Sequence, residues 1–233
     1  MENQQGCTLS TNQKQVLLTG YYGDGHIISG ENKNASYVAS SIVKPLLEFK
    51  YSLLGDLVTK EIVTVNNSGG YGENNIFKLR TKADKRITKF DSLTDEEKLS
   101  QINELGIALW FYDDGSLHKS NYFYNLCTHK YSKEYQEDLL IPKLNEFGIY
   151  PKITSEVKKD GKKFWYLRVG RHNGSFNISD ILSRYPVNGM RYKVWSSETS
   201  QQWRKLLVEL KSKGQVISNR AFTNELNKRL GKI

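Results

Sequence analysis

Two short segments of the 233-residue chain end alike, and each carries an aspartate that could do chemistry. Residues 16–27 read VLLTGYYGDGHI and residues 106–117 read GIALWFYDDGSL; without a gap, Tyr22 aligns with Tyr112, Asp24 with Asp114 and Gly25 with Gly115. The apolar stretch before each aspartate reads as a helix that stops at the Asp-Gly. A helix C-terminus already carries partial negative charge, so a carboxylate there costs about half a kcal/mol. Asp113 beside Asp114 makes the second segment worse. A divalent cation is the economical compensation. If the two helices pack side by side, Asp24 and Asp114 converge, and Gly20, Gly23, Gly106 and Ala108 are small enough to let the backbones approach. Two carboxylates with no nearby histidine favour Mg²⁺, with Mn²⁺ able to substitute, over a softer metal. Metal ions held between such carboxylates and phosphate oxygens hydrolyse phosphodiesters. Helix capping alone would account for one such aspartate; its repetition favours the metal.

The elements around the aspartates repeat too. Phe77-Lys78-Leu79-Arg80 answers Trp165-Tyr166-Leu167-Arg168, and each arginine follows its own aspartate at nearly the same offset. The chain reads as two copies of one unit, residues 14–90 and 95–195, followed by a basic extension, 196–233. Each copy predicts helix, two strands, helix, two strands, helix, an α+β fold. The first helices are Lys14 to Tyr22 and Thr94 to Tyr112, the latter opened by a Thr94–Glu97 capping signal. Hairpins follow around Ile27–Ser41 and Leu117–Thr128, then helices Pro45–Val58 and Lys133–Phe147, the second closed by Gly148. Strand pairs Glu61–Asn66 with Asn75–Thr81, and Lys152–Val157 with Lys163–Val169 across a Lys-Asp-Gly-Lys turn, complete the sheets. Short helices, Lys85–Phe90 and Ile178–Ser183, end the units. The extension predicts two amphipathic helices, separated at Gly214.

Alternation along the strands puts Lys78, Arg80 and Lys82 on one face and Phe77 and Leu79 on the other. Tyr166 and Arg168 oppose Trp165, Leu167 and Val169 in the same way. With Lys33, Asn66, Lys119, Tyr122, Asn125, Lys152 and Thr154 on neighbouring strands, each sheet gains a face of cations, amides and aromatics. Such groups neutralise phosphates and donate to base edges. The composition agrees: 34 basic against 25 acidic residues leave +9, of which the extension carries +5. Two cysteines, Cys7 and Cys127, and four scattered histidines exclude a disulfide framework and a zinc site. No apolar run suits a membrane helix, and the polar N-terminus lacks a signal peptide. These features predict a non-secreted protein of the cytoplasm, nucleoid or organelle matrix.

The two segments resemble the paired signature helices of LAGLIDADG homing endonucleases of the single-chain, two-repeat kind. Ala108-Leu109-Trp110-Phe111-Tyr112-Asp113-Asp114-Gly115-Ser116 is a close match, and Leu18-Thr19-Gly20-Tyr21-Tyr22-Gly23-Asp24-Gly25 a more degenerate one. Gly189-Met190-Arg191-Tyr192-Lys193 is similar to the family's end-of-repeat stretch. The resemblance implies a pseudo-twofold saddle of two αββαββα repeats whose antiparallel sheets straddle a long asymmetric DNA site. It implies a monomer that cuts both strands. Asp24 and Asp114 would bind the catalytic metals, Gly23 and Asp113 would be neighbouring metal-site positions, and Lys193 would be the active-site lysine. The first repeat departs from this pattern, because the offset of Lys193 from Asp114 lands on Asn103; Lys98 and Lys89 are the nearest basic candidates. An intron maturase, or a DNA or RNA binder without cleavage, is the alternative on the same scaffold, with intron RNA as partner. An HNH-like nuclease built on Arg171-His172-Asn173 lacks a second histidine at a useful spacing.

Overall fold

Ser10 and Gln13 form a reciprocal capping box that opens α1 (Thr11–Tyr22), a turn earlier than the apolar pattern alone predicts. The computed structural model describes residues 8–29, 34–65, 75–157 and 161–232. After α1 come β1 (Gly25–Ile28), β2 (Ser36–Ser41), α2 (Lys44–Leu54), β3 (Val63–Val65), β4 (Ile76–Arg80) and α3 (Lys85–Asp91). The Thr94–Glu97 capping box opens a separate helix, α4 (Asp95–Ser100). α5 (Glu104–Asp114) starts afresh at Asn103, whose side chain accepts from the Gly106 N–H. The single helix expected from Thr94 to Tyr112 is therefore two. Gln15 of α1 supplies the reason: its amide donates to the Gln101 carbonyl at 2.8 Å and accepts from the Asn103 N–H at 3.1 Å. Both bonds satisfy backbone groups that the broken turn leaves over.

The second copy continues with β5 (Gly115–His118), β6 (Phe123–Leu126), α6 (Lys133–Tyr135) and α7 (Ile141–Asn145). A wide helical turn over Gln136–Leu140 joins α6 to α7 just ahead of Pro142, which has no N–H to continue an α-helical ladder. Gly148 follows with φ 67°. That left-handed conformation is the one expected of a C-cap glycine. β7 (Lys152–Val157), β8 (Lys163–Val169) and α8 (Phe176–Arg184) complete the copy. α9 (Ser197–Ser212) and α10 (Asn219–Arg229) form the extension.

Each copy builds an antiparallel four-stranded sheet, in the orders β1-β2-β4-β3 and β5-β6-β8-β7. One face of each sheet is covered. Tyr37, Ala39 and Leu79 on the first, and Tyr124, Leu126 and Leu167 on the second, are buried against helices. The other face carries the alternate residues and stays open. α1 and α5 pack against each other between the halves, with the Tyr22 and Trp110 rings 5.4 Å apart. Gly106 faces Gln15 and Gly23 faces Asp113, so both glycines lie at the inter-helix contact. Gly20 does not; it faces Ile27 and Tyr37 of its own half. Among the described residues no helix is long and apolar enough to cross a membrane.

Candidate functional site

The paired helices end together, and their carboxylates feel one another. Asp114 is the last residue of α5, while Asp24 follows just after the end of α1. Asp114 is partly buried, while Asp24 is the more exposed of the two. Burial pushes the Asp114 carboxyl up to about 7, with Asp24 and then Asp113 adding repulsion. Asp24 is raised by burial and next by Asp113, against the pull of Lys50, Lys193 and Lys130. Two carboxyls held above their ordinary range by burial and by acidic neighbours make a site that gains from a cation. Among the described residues no three His, Cys, Asp or Glu groups come together as a ready cage. Two carboxylates still fit Mg²⁺, which keeps several waters and is held by one or two carboxylates plus phosphate oxygens.

Asp113 has another task. Lys50 of α2, in the first half, reaches across to it, with Nζ 2.8 Å from both Oδ1 and Oδ2. Both side chains are 1% exposed. Burial would pull the Lys50 ammonium down, but Asp113 and its other neighbours outweigh burial and hold it above its usual value. The Asp113 Oδ2 also accepts from the Asp24 N–H at 3.2 Å. Asp113 is thus the charge partner of Lys50, beside the two aspartates that end the helices. Gly23 makes room for it: a Cβ there would lie 2.2 Å from Asp113 Oδ2.

Lys193 is brought to the site. It is 7% exposed. Its ammonium donates to the carbonyls of Phe111, Tyr112 and Asp113 at the end of α5, opposing that helix's negative pole. Burial holds its pKa below the ordinary value, against Asp113, Asp24 and Asp114. Lys98 and Lys89 are not brought there. Lys98 donates to the Leu93 carbonyl and lies over the Tyr21 ring, while Lys89 lines a cleft beside Phe90 and Leu93. The buried lysine of the first half is Lys50, which the sequence reading missed. A signal existed, because Leu46, Leu47, Lys50 and Leu54 share the buried side of α2, where lysine is out of place. Lys130, also missed, has its pKa lowered by burial against the attraction of Asp114, Cys127 and Asp24.

The open sheet faces hold most of the expected polar residues. On the second sheet, Asn125 pairs with Arg168, Arg168 with Lys152, and Thr154 with Tyr166. Arg168 donates to Asn125 Oδ1 at 3.0 Å and to the Tyr166 hydroxyl at 2.8 Å, and its guanidinium lies over the Phe123 ring. His118 stacks on Phe123 and hydrogen-bonds Asn125, so the polar heads are ordered in advance. On the first sheet Lys78 and Arg80 are exposed, and Lys82 lies just beyond β4. Lys33 and Asn66 fall outside the described residues. Tyr122 is a correction. It is 3% exposed, packs edge-on against Trp195 and donates to Asn227 of α10, because the hairpin turn tucks it under the extension instead of onto the open face. Lys119 sits on that turn, exposed. His172 packs against Trp203 and Phe222, a structural place that leaves no HNH-like site.

Comparisons with known proteins agree with this architecture. The "Probable intron-encoded DNA endonuclease 3" of Mycosarcoma maydis is 27% identical over 97 residues, which span 41% of this chain and 66% of that relative. Among solved structures, the homing endonuclease I-WcaI bound to its DNA recognition sequence is similar at 20% identity and a TM-score of 0.65, covering 81% of this chain and 88% of that one. Mesophilic variants of the homing endonuclease I-DmoI are more distant, at 15% identity and a TM-score of 0.48 over 74% of this chain and 96% of theirs. The paired helices and two antiparallel sheets thus have the LAGLIDADG homing endonuclease fold, and the model of that family matches residues 15–175. The chain belongs to the LAGLIDADG DNA endonuclease family.

Proposed function

We propose that this protein is a site-specific double-strand DNA endonuclease that works as a monomer with Mg²⁺, or with Mn²⁺ in its place. One observation carries the reading: the two aspartates with raised pKa values at the adjoining ends of α1 and α5, between two sheets with open basic faces. Asp24 and Asp114 would hold the metal. When bound, it supplies Lewis-acid stabilisation of the phosphorane-like transition state and lowers the pKa of an attacking water. The chain's own residues do the rest. Lys78, Arg80, Lys82, Lys152 and Arg168 bind backbone phosphates, and Asn125, Thr154 and Tyr166 address base edges. The Arg168–Asn125–Tyr166 network orients those groups before DNA arrives, which reduces the ordering cost of binding. Lys130 and Lys193 place positive charge beside the two carboxylates, where charge develops on the phosphate. Neither hydrolytic centre needs a second copy of the chain, because each half brings its own aspartate and its own sheet. The protein would act in whichever compartment holds its target DNA.

The test uses DNA of an uninterrupted homologous allele, or sites selected from a randomised library, with Mg²⁺. The parent should yield a staggered double-strand break, and Asp24→Asn and Asp114→Asn should each suppress it. Unchanged cutting by both variants would remove the aspartates from the active site. Tight binding of intron RNA by a parent that never nicks DNA would establish the maturase reading instead.

A further inference from the structure

A cavity lies away from the aspartates, where the C-terminal extension meets the second half. It has a volume of about 640 Å³. That is within the range of small-ligand sites. Lys119 from the β5–β6 turn, Arg191 from the short helical turn before Lys193, and Lys232 from beyond α10 all line it. No lining residue is acidic. Of the carboxylates on the nearby helices, Asp180 pairs with Arg204 at 2.9 Å and Glu209 with Arg229 at 2.7 Å, while Glu198, in the first turn of α9, does not line the cavity. Three cations collected without a counter-ion repel one another, and they call for an anion.

Two further features belong to the same place. Ser196 caps α9 by accepting from Thr199, so this 16-residue helix points its positive N-terminal end, with Ser196 and Ser197, at the cavity. Trp195, 6% exposed, also lines it. The arrangement is held by a strained latch. Tyr122 adopts φ 55°. Such a backbone is rare for a bulky residue. From there its hydroxyl reaches Asn227 of α10 while Lys232 comes over its ring. The Tyr122–Asn227 hydrogen bond and the Asn227 carbonyl, which accepts from the Lys232 N–H, secure the segment after α10, and with it Lys232.

The position decides the kind of anion. Strand β5 begins at Gly115, next to Asp114, and runs outward to His118, so Lys119 stands a full strand's length from the aspartate. A duplex lying along the open face would pass the outer end of the sheet there. We propose that this cavity, built jointly by the β5–β6 turn and the C-terminal extension, takes phosphodiester groups of the DNA flanking the site on the second half's outer side. The inference rests on the nuclease reading and adds a contact that neither sheet makes. The +5 extension then lengthens the footprint as well as bracing the fold.

Phosphate contacts are independent of sequence, so a labelled non-specific duplex of roughly 40 base pairs is a sufficient probe. Its affinity is measured by anisotropy from about 50 to 200 mM salt for the parent and for the K119Q/R191Q/K232Q variant, with circular dichroism to verify folding. Each B-DNA phosphate contact adds about 0.9 to the slope of log K against log salt, so losing three lowers the slope by about 2.7. The variant's deficit should therefore shrink about 40-fold across that range. Should the triple variant not fold, K232Q alone, at an exposed position, is expected to lower the slope by about 0.9. A parent that binds no duplex defeats the nuclease reading and this inference together. A parent that binds, with variants of unchanged slope, defeats this inference alone. Binding of dAMP that depends on the three cations, with duplex binding that does not, would assign the cavity to a free nucleotide and overturn the proposal.

Discussion

Removing Lys50 is the sharpest perturbation of the inter-half contact. Lys50→Met keeps the length of the side chain and deletes its charge, leaving the Asp113 carboxylate 1% exposed and without its cation. Both N–O distances are 2.8 Å. Neither side chain is solvated, so the discount applied to surface ion pairs does not enter. Breaking one partner of such a pair costs about 3–5 kcal/mol. For a chain of this length each kcal/mol lowers Tm by about 2–4 °C, giving a fall of roughly 6–20 °C. The assay is thermal unfolding followed by circular dichroism in EDTA, so that metal does not mask the loss. Asp113→Asn and the Lys50→Met/Asp113→Asn double variant complete a cycle, and the double should be more stable than Lys50→Met alone because it buries no charge. The same series should show cleavage falling more than stability at permissive temperature, since Asp113 also holds the Asp24 N–H. A Lys50→Met protein melting within about 2 °C of the parent would refute the reasoning, as would strictly additive single effects.

Other consequences follow from the same geometry. Asp114, pushed up to about 7 by burial and its acidic neighbours, binds a proton in the native state that it gives up when unfolded. The metal-free protein should therefore gain stability from this group as pH falls from about 8 to 5, by about 3 kcal/mol. Chemical denaturation across that range should show the gain in the parent and not in Asp114→Asn. A parallel pH dependence in both proteins would contradict the assignment. Gly23→Ala places a methyl group 2.2 Å from Asp113 Oδ2. It should cost about 1–3 kcal/mol and much of the cleavage, read by melting and by plasmid linearisation. Arg168→Ala removes the hub of the sheet network and should lower the salt slope of duplex binding by about 1, while relaxing base preference in a selection experiment. Trp203→Ala, in the packing between extension and body, should cost about 3–5 kcal/mol, seen as a lower and broader melting transition.

Local physics made much of this protein legible from its sequence. Alternation and the Lys-Asp-Gly-Lys turn mark β7 and β8 at their observed bounds, since strand periodicity and turn chemistry are properties of neighbouring residues. The repeated Asp-Gly ends mark where α1 and α5 stop and which carboxylates stand there. Longer-range effects were not legible. Gln15, 86 residues from Gln101, decides that the stretch from Thr94 is two helices. Lys50 lies 63 residues from Asp113, and only the packing of α1, α2 and α5 turns that lysine toward the aspartate and away from water. The turn that draws Tyr122 beneath α10 depends on a partner 105 residues away. By itself, then, the sequence determined the repeat, the strand faces and the two aspartates. The tertiary structure decided which charges neutralise one another at the centre and where the extension docks. The physical reason is that the strength of a charge interaction is set by distance and by exclusion of water, and the linear order of residues specifies neither.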